Sequence, residues 1–183
     1  DAHPREFFDF YFSRMLFLDA QPNQAHRKLA ELEREGALSA VITQNVDGLH
    51  QMAGSRNVFE LHGSSLRNHC IRCRAAYALE EMVAAHERSD DGVPRCDCGG
   101  VIRPDVVLYE EALDHDTLRG AVEAIKRADL LLIAGTSLVV YPAAGLIDYF
   151  GGSHLVIVNR STTPRDRQAD LCISASIGDV MDF

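Results

Sequence analysis

Four cysteines set the tightest limit on how this chain can fold. They stand as Cys70-x2-Cys73 and, 22 residues on, Cys96-x-Cys98-Gly99-Gly100. Close pairs of this kind point to a metal rather than to disulfides. Zinc takes four thiolates at about 2.3 Å in a tetrahedron. A two-residue gap lets both sulfurs of a knuckle face one ion. The one-residue gap at Cys96 and Cys98 is tighter, and Gly99-Gly100 would relieve that turn. The alternative is a set of buried free thiols. With all four positions filled by protein, a zinc site here has none left for water, so its expected role is structural. His69 reads as a neighbour of the site rather than a ligand. The thiols fit a reducing compartment, so the expected location is the cytoplasm. The fifth cysteine, Cys172, falls in a predicted strand and is expected in the core.

A length of 183 residues corresponds to one domain, or one domain with a small insert. With 46% hydrophobic and 25% charged residues the chain is globular, which excludes disordered, collagen-like and coiled-coil chains. Eighteen basic against 27 acidic residues leave a net charge of −9. Such a surface repels phosphate backbones and anionic lipid heads, so nucleic acid and membrane are disfavoured as partners, although Arg67, Arg72 and Arg74 are locally basic. The apolar runs, Leu130 to Ala134 and Leu138 to Tyr141, are far shorter than a membrane span. Residues 1–20 lack the pattern of a signal peptide. A monomer is expected.

Hydrophobic periodicity gives an alternation of elements. Helices are expected over Pro4 to Leu18 (Phe7, Tyr11, Met15 and Leu18 on one face), 23–35 (capped by Asn23, stopped by Gly36), Leu79 to Glu87, 114–128 and 142–150, with another starting near Ser176. Strands are expected over Leu38 to Thr43, Val58 to Leu61, Val106 to Leu108, Leu130 to Ala134 (fully buried), Leu155 to Val158 and Leu171 to Ser174. Strands alternating with helices imply an α/β fold with a parallel sheet covered on both faces. Residues 66–103, which hold the cysteine pairs, read as an insert with its own small fold.

In such sheets ligands bind beyond the carboxyl ends of the strands. Four strands here end in polar or small groups: Gln44-Asn45-Val46-Asp47, His62-Gly63, Gly135-Thr136-Ser137 and Asn159-Arg160. These are expected on one rim. Two amides and a carboxylate at a strand end can hold a carboxamide or a ribose, or can simply cap a turn. His62 can serve as a general base or be structural. Gly135-Thr136-Ser137 offers N–H groups and hydroxyls to a phosphate or ribose, as does many an ordinary turn.

As an ordered set these segments are far more specific. Thr43 to His50 (TQNVDGLH), Glu60 to Ser64 (ELHGS), the cysteine quartet, Arg103 to Tyr109 (RPDVVLY), Gly135 to Ala144 (GTSLVVYPAA) and Val156 to Arg160 (VIVNR) occur in the order found in sirtuins. The chain resembles that family of NAD-dependent protein lysine deacylases along nearly all its length. The resemblance implies a Rossmann-like NAD-binding domain (1–65 and 104–183) with a zinc-ribbon module (66–103), and NAD and zinc as cofactors. It implies that His62 is the catalytic base, that Asn45 and Asp47, with Val46 between them, line a nicotinamide pocket, and that Gln44 contacts a ribose. It further implies that Gly135, Thr136 and Ser137 run along the dinucleotide, that Asn159 and Arg160 meet the adenosine ribose, and that Ile177 touches the adenine. Val107, Tyr109 and Val140 are implied contacts of an acyl-lysine peptide that adds as a strand. In the family's reaction the acyl oxygen attacks the ribose as nicotinamide leaves, and the products are free lysine, nicotinamide and 2′-O-acyl-ADP-ribose.

Two features depart from the family pattern. The family begins with a strand and a Gly-Ala-Gly loop, followed by a Pro-Asp-Phe-Arg loop, and neither is found here. The sheet is therefore expected to lack its first central strand, and the sequence to be part of a longer chain. Glu110 stands where the family has glycine, beside the implied substrate cleft, and is expected to face solvent or to adjust peptide preference. Two other functions remain compatible with the residues: an inactive zinc-binding interaction module, and mono-ADP-ribosyl transfer.

Overall fold

The computed structural model describes residues 3–183, so the first two positions of the 1–65 segment lie outside the described residues. The chain forms two compact units. One comprises the N-terminal segment through Ala20, Asn45–Gly48 and His62–Ala112; the other comprises Gln21–Gln44, Leu49–Leu61 and Leu113–Phe183.

The first unit opens with helix α1, Pro4–Phe10, with proline in its first turn where a missing N–H costs nothing. The helix expected to reach Leu18 stops early. Tyr11–Met15 widens into a π turn, closed by the Leu16 N–H on the Tyr11 carbonyl at 3.0 Å. One extra residue in the turn shifts the helical phase. Tyr11 stays buried while Leu18 is 61% exposed. Phe8 and Tyr11 pack with Met82, Val93, Ile102 and the thiols of Cys70 and Cys96 in one apolar cluster. Burial there pushes the Tyr11 phenol up to about 12.

Beside this cluster lies an antiparallel sheet of three strands, β3 (Gly63–Cys70), β4 (Ala76–Ala78) and β5 (Ile102–Val106), in the order β4-β3-β5. Helix α4, Leu79–Glu87, follows β4 as expected. Periodicity missed β3 because its buried side chains include Ser64, Ser65 and Asn68, all polar. The strand expected over Val106 to Leu108 lies earlier, at Ile102–Val106. Pro104 interrupts the apolar run yet is fully buried within it.

In the second unit, helix α2 (Gln24–Arg34) is capped by Asn23, whose side chain accepts from the His26 N–H at 3.1 Å, and ends before Gly36 at φ +79°. Strands β1 (Val41–Thr43) and β2 (Val58–Glu60) pair in parallel, with α3 (Leu49–Ala53) between them in sequence. Helix α5 (His115–Arg127) is capped by Asp114. Strands β6 (Leu130–Ala134), β7 (His154–Val158) and β8 (Leu171–Ile173) form a second parallel sheet in that order. The helix expected over 142–150 is a 3₁₀ segment, Ala143–Tyr149, and α6 spans Ile177–Val180. Leu61, Ala121, Ile125, Ala143 and Leu146 form the core, where Gly120 lets the Phe59 ring lie against α5.

Two expectations about burial fail here for one reason. The parallel strands divide into two sheets, so β6 is an edge strand with Leu130 52% exposed, not a fully buried one. Cys172 on β8, the opposite edge, is exposed, with its Sγ 3.5 Å from the Asp166 carbonyl oxygen. A strand with one neighbour is covered on one side only.

Gly63 begins β3 at φ +77°, and a β-carbon there would fall on the Asp105 carbonyl oxygen, far inside contact distance. Gly63→Ala combines a left-handed backbone with that collision, so it is expected to lower stability by about 2–6 kcal/mol. Thermal denaturation of the variant measures this.

Candidate functional site

The four cysteines come together in the first unit. Their sulfurs all lie within 4.8 Å of one another, with Cys70 Sγ 3.5 Å from Cys98 Sγ and Cys73 Sγ 3.5 Å from Cys96 Sγ. A tetrahedron of zinc–sulfur bonds places its sulfurs about 3.8 Å apart, so the donor set fits zinc. Cys70 is the last residue of β3 to pair with β5, opposite Ile102, and Arg74 at φ +63° turns the first knuckle. Gly100 lets the second knuckle close on the Cys70 sulfur. Arg72, which the sequence marks only as locally basic, links the two: its N–H points at Cys70 Sγ at 3.4 Å and its guanidinium donates to the Cys98 carbonyl at 2.6 Å.

The thiols divide in acidity. The backbone N–H groups of Cys73 and Arg72 help hold the Cys70 thiol down at about 6, and a hydrogen bond with the Tyr77 hydroxyl lowers Cys96. The Ala75 amide lowers Cys73, yet the neighbouring sulfurs of Cys96, Cys98 and Cys70 push it up to about 12. Four sulfurs this close must share protons or hold a cation, and a divalent cation removes the conflict. Metal analysis is expected to return one zinc per chain, and chelation to lower the melting temperature. Free alkylation of Cys70 and Cys73 in untreated protein would contradict the site.

The loop before the second knuckle is held by Asp91. Its carboxylate accepts from the Ser89 hydroxyl at 2.6 Å, the Arg95 guanidinium at 2.7 Å and the Val93 N–H at 3.2 Å. These partners hold its pKa at about 2, below the ordinary value of about 3.9. A lowered carboxylate stabilises the fold above its unfolded pKa and loses that effect as pH falls through the folded one. Asp91→Asn is therefore expected to lower the melting temperature at pH 7, with the difference from wild type closing between about pH 4 and pH 2.

The first unit also holds Asn45, Val46, Asp47, His62, Val107 and Tyr109. Backbone bonds stitch three of these to one place. The Val46 carbonyl accepts from both the N–H and the hydroxyl of Ser65, at 2.9 and 2.7 Å. The His62 carbonyl accepts from the Val107 N–H at 2.9 Å, directly beyond the Gly63–Val106 pair of β3 and β5. Gly48, at φ +72°, lets the 45–48 segment lie against Leu66 of β3. Ser65, which secures Val46, is a missed residue; it follows ELHGS in sequence but carries no chemical motif.

Gln44, Gly135, Thr136, Ser137, Val140, Asn159, Arg160 and Ile177 belong to the second unit. There β6, β7 and β8 end level, at Ala134, Val158 and Ile173. The Gly135 N–H donates to the Val158 carbonyl and the Asn159 N–H to the Ile173 carbonyl, both at 3.1 Å. Gly135–Ser137 and Asn159–Arg160, two of the four segments expected on one rim, thus leave one sheet end side by side. Gly135 sits at φ +62° with open space where a β-carbon would stand, which leaves backbone accessible to a ligand. The Thr136 hydroxyl accepts from the Leu138 N–H at 3.3 Å, and Val140 is exposed. Ile177 begins α6. A tie not foreseen from sequence is Arg165, whose guanidinium grips both Asp148 carboxylate oxygens at 2.8 and 2.9 Å and so anchors the loop after Asn159–Arg160.

Comparison with known proteins is consistent throughout. The profile of the Sir2 family matches residues 1–142. An NAD-dependent protein deacetylase of Clostridium perfringens is 55% identical over 183 residues, covering 99% of this chain and 73% of its own. One from Clostridium acetobutylicum is 53% identical over 181 residues, covering 98% and 72%. Among solved structures, a Sir2 bound to an acetylated peptide superposes with a TM-score of 0.93 at 43% identity, over 98% of this chain and 76% of that one. A Sir2 with a p53 peptide and NAD+ gives 0.92 at 44% identity, over 98% and 76%. With most of its length matched by the profile, and more than half of its residues shared with curated relatives, this chain belongs to the Sir2 family.

Proposed function

We propose that the protein removes acyl groups from lysine side chains of other proteins, consuming NAD and yielding nicotinamide and 2′-O-acyl-ADP-ribose. NAD would supply an electrophilic ribose carbon for the acyl oxygen, nicotinamide as the leaving group, and the ribose hydroxyl that finally carries the acyl group. The residues fit it: the open backbone at Gly135 and the hydroxyls of Thr136 and Ser137 stand at the carboxyl end of a parallel sheet, where dinucleotides bind. Gln44, Asn159, Arg160 and Ile177 complete the proposed cofactor set.

Within the first unit, His62 is the proposed base. An imidazole can take a proton from a ribose hydroxyl and so free that oxygen to attack. Asn45 and Asp47, with Val46 fixed between them, hold the carboxamide of nicotinamide by directed hydrogen bonds. Val107 and Tyr109 are the proposed contacts of a peptide that adds as a strand, and Val140 is a further proposed peptide contact. The proposed organisation is a dinucleotide-binding domain over 1–65 and 104–183 and a zinc-ribbon module over 66–103. The chemistry is group transfer, and the proposed setting is the cytoplasm, where zinc thiolates persist. Among the described residues no helix is long and apolar enough to cross a membrane.

One observation carries the catalytic assignment: the hydrogen bond from the Val107 N–H to the His62 carbonyl. It fixes the proposed base beside the strand that would receive the substrate. His62→Ala is expected to lower NAD-dependent release of acetate from an acetyl-lysine peptide by roughly 100-fold or more, with zinc content and melting temperature kept. Unchanged turnover would remove His62 from this role. Label passing from NAD to protein instead of to an acyl-ribose product would point to ADP-ribosyl transfer.

A further inference from the structure

Residues Leu108–Glu111 form a tight turn directly after Val107. The Glu111 N–H donates to the Leu108 carbonyl at 3.1 Å, which closes the turn on Tyr109 and Glu110. Glu110 lies at φ +72°, at the position of such a turn that glycine ordinarily takes. Glu111 is used within the turn. Its carboxylate accepts from the Leu108 N–H at 2.9 Å and from the Arg103 guanidinium, which holds it below the usual carboxylate range. Glu110 differs in each respect. It is exposed, and among the described residues no hydrogen bond or ion pair reaches its carboxylate. Tyr109 beside it is 96% exposed. The turn therefore presents one uncompensated negative charge and one bare aromatic ring.

Its place gives this pair a target. Glu110 is three residues from Val107, whose N–H bonds the His62 carbonyl. Three residues span at most about 10 Å and a turn spans less, so Glu110 stays within the reach of a substrate residue one or two places from the reacting lysine. Acylation removes the charge of that lysine, so the modified side chain offers a carboxylate nothing to pair with. A flanking arginine or lysine does, and its cation can also lie on an aromatic face.

We propose that Glu110, together with Tyr109, selects acyl-lysine peptides that carry a basic residue beside the acyl-lysine. The selection rests on the deacylase reading for its substrate, but it can be measured without turnover. Two fluorescein-labelled acetyl-lysine peptides, identical except for arginine or glutamate next to the acetyl-lysine, are titrated with the zinc-loaded whole protein and followed by anisotropy. The same peptides are then assayed for kcat/KM with NAD. Wild type is expected to favour the arginine peptide by roughly two- to five-fold, the range of an exposed charge pair. The preference should shrink as salt rises from about 50 to 300 mM.

Glu110→Gln is expected to abolish the preference. Glu35→Gln, the same change of net charge at another exposed position, is expected to keep it. Glu110→Gly, which suits the backbone, serves as a second variant and should lose the preference as well. A preference that survives Glu110→Gln, or that Glu35→Gln removes equally, overturns the assignment. Binding preference without any NAD-dependent turnover counts against the deacylase reading and leaves the selection standing. Turnover with no peptide preference does the reverse.

Discussion

The pairing of β3 with β5 is the interaction on which the rest of the first unit depends. At one end Cys70 pairs with Ile102 and leads into the metal knuckle; at the other Gly63 pairs with Val106, and the next bond joins Val107 to His62. The eight residues of β3 span about 26 Å. The cysteine cluster therefore stands a full strand length from the His62 end of β3, and a metal held there fixes the Cys70 end of the strand.

The polar segment 45–48 is tied to β3 through Ser65. Val46 spends its carbonyl on Ser65, so the backbone between Asn45 and Asp47 is pinned by protein. Side chains on a pinned backbone are oriented before a ligand arrives, which lowers the entropy lost on binding. The second unit applies the same economy at its sheet end. Gly135 and Asn159 each give their N–H to the neighbouring strand, and the hydroxyls and amides that follow are held close to that rigid edge.

What the sequence made legible divides along physical lines. Helices α2, α4 and α5 were readable because packing on one face imposes a helical period, and Asn23 marked the start of α2. The cysteine quartet was readable because tetrahedral coordination restricts spacing. Strand β3 was not, since it buries serines and an asparagine where periodicity looks for apolar side chains. The end of the first helix was hidden by a π turn, which no local composition announces. Burial of β6 and Cys172 was misjudged because it depends on which strands pair, and pairing is a property of the sheet. The candidate site was visible mainly as an ordered set of motifs. Taken singly, an Asn, an Asp or a His at a strand end is as compatible with a capped turn as with a ligand contact.

Pro104 has a further consequence. It faces Asn68 across β3 and β5 at a point where the register slips between Ser64 and Asn68, and it has no N–H to offer the ladder. The pair is thus hydrogen-bonded as two short blocks with an irregular stretch between them. That stretch has the weakest bonding to β5, although from Arg67 onward β3 is held on its other side by pairing with Ala78 of β4. In solvent exchange the two blocks would stand out as separate islands of slow amides, divided by a faster gap at Leu66.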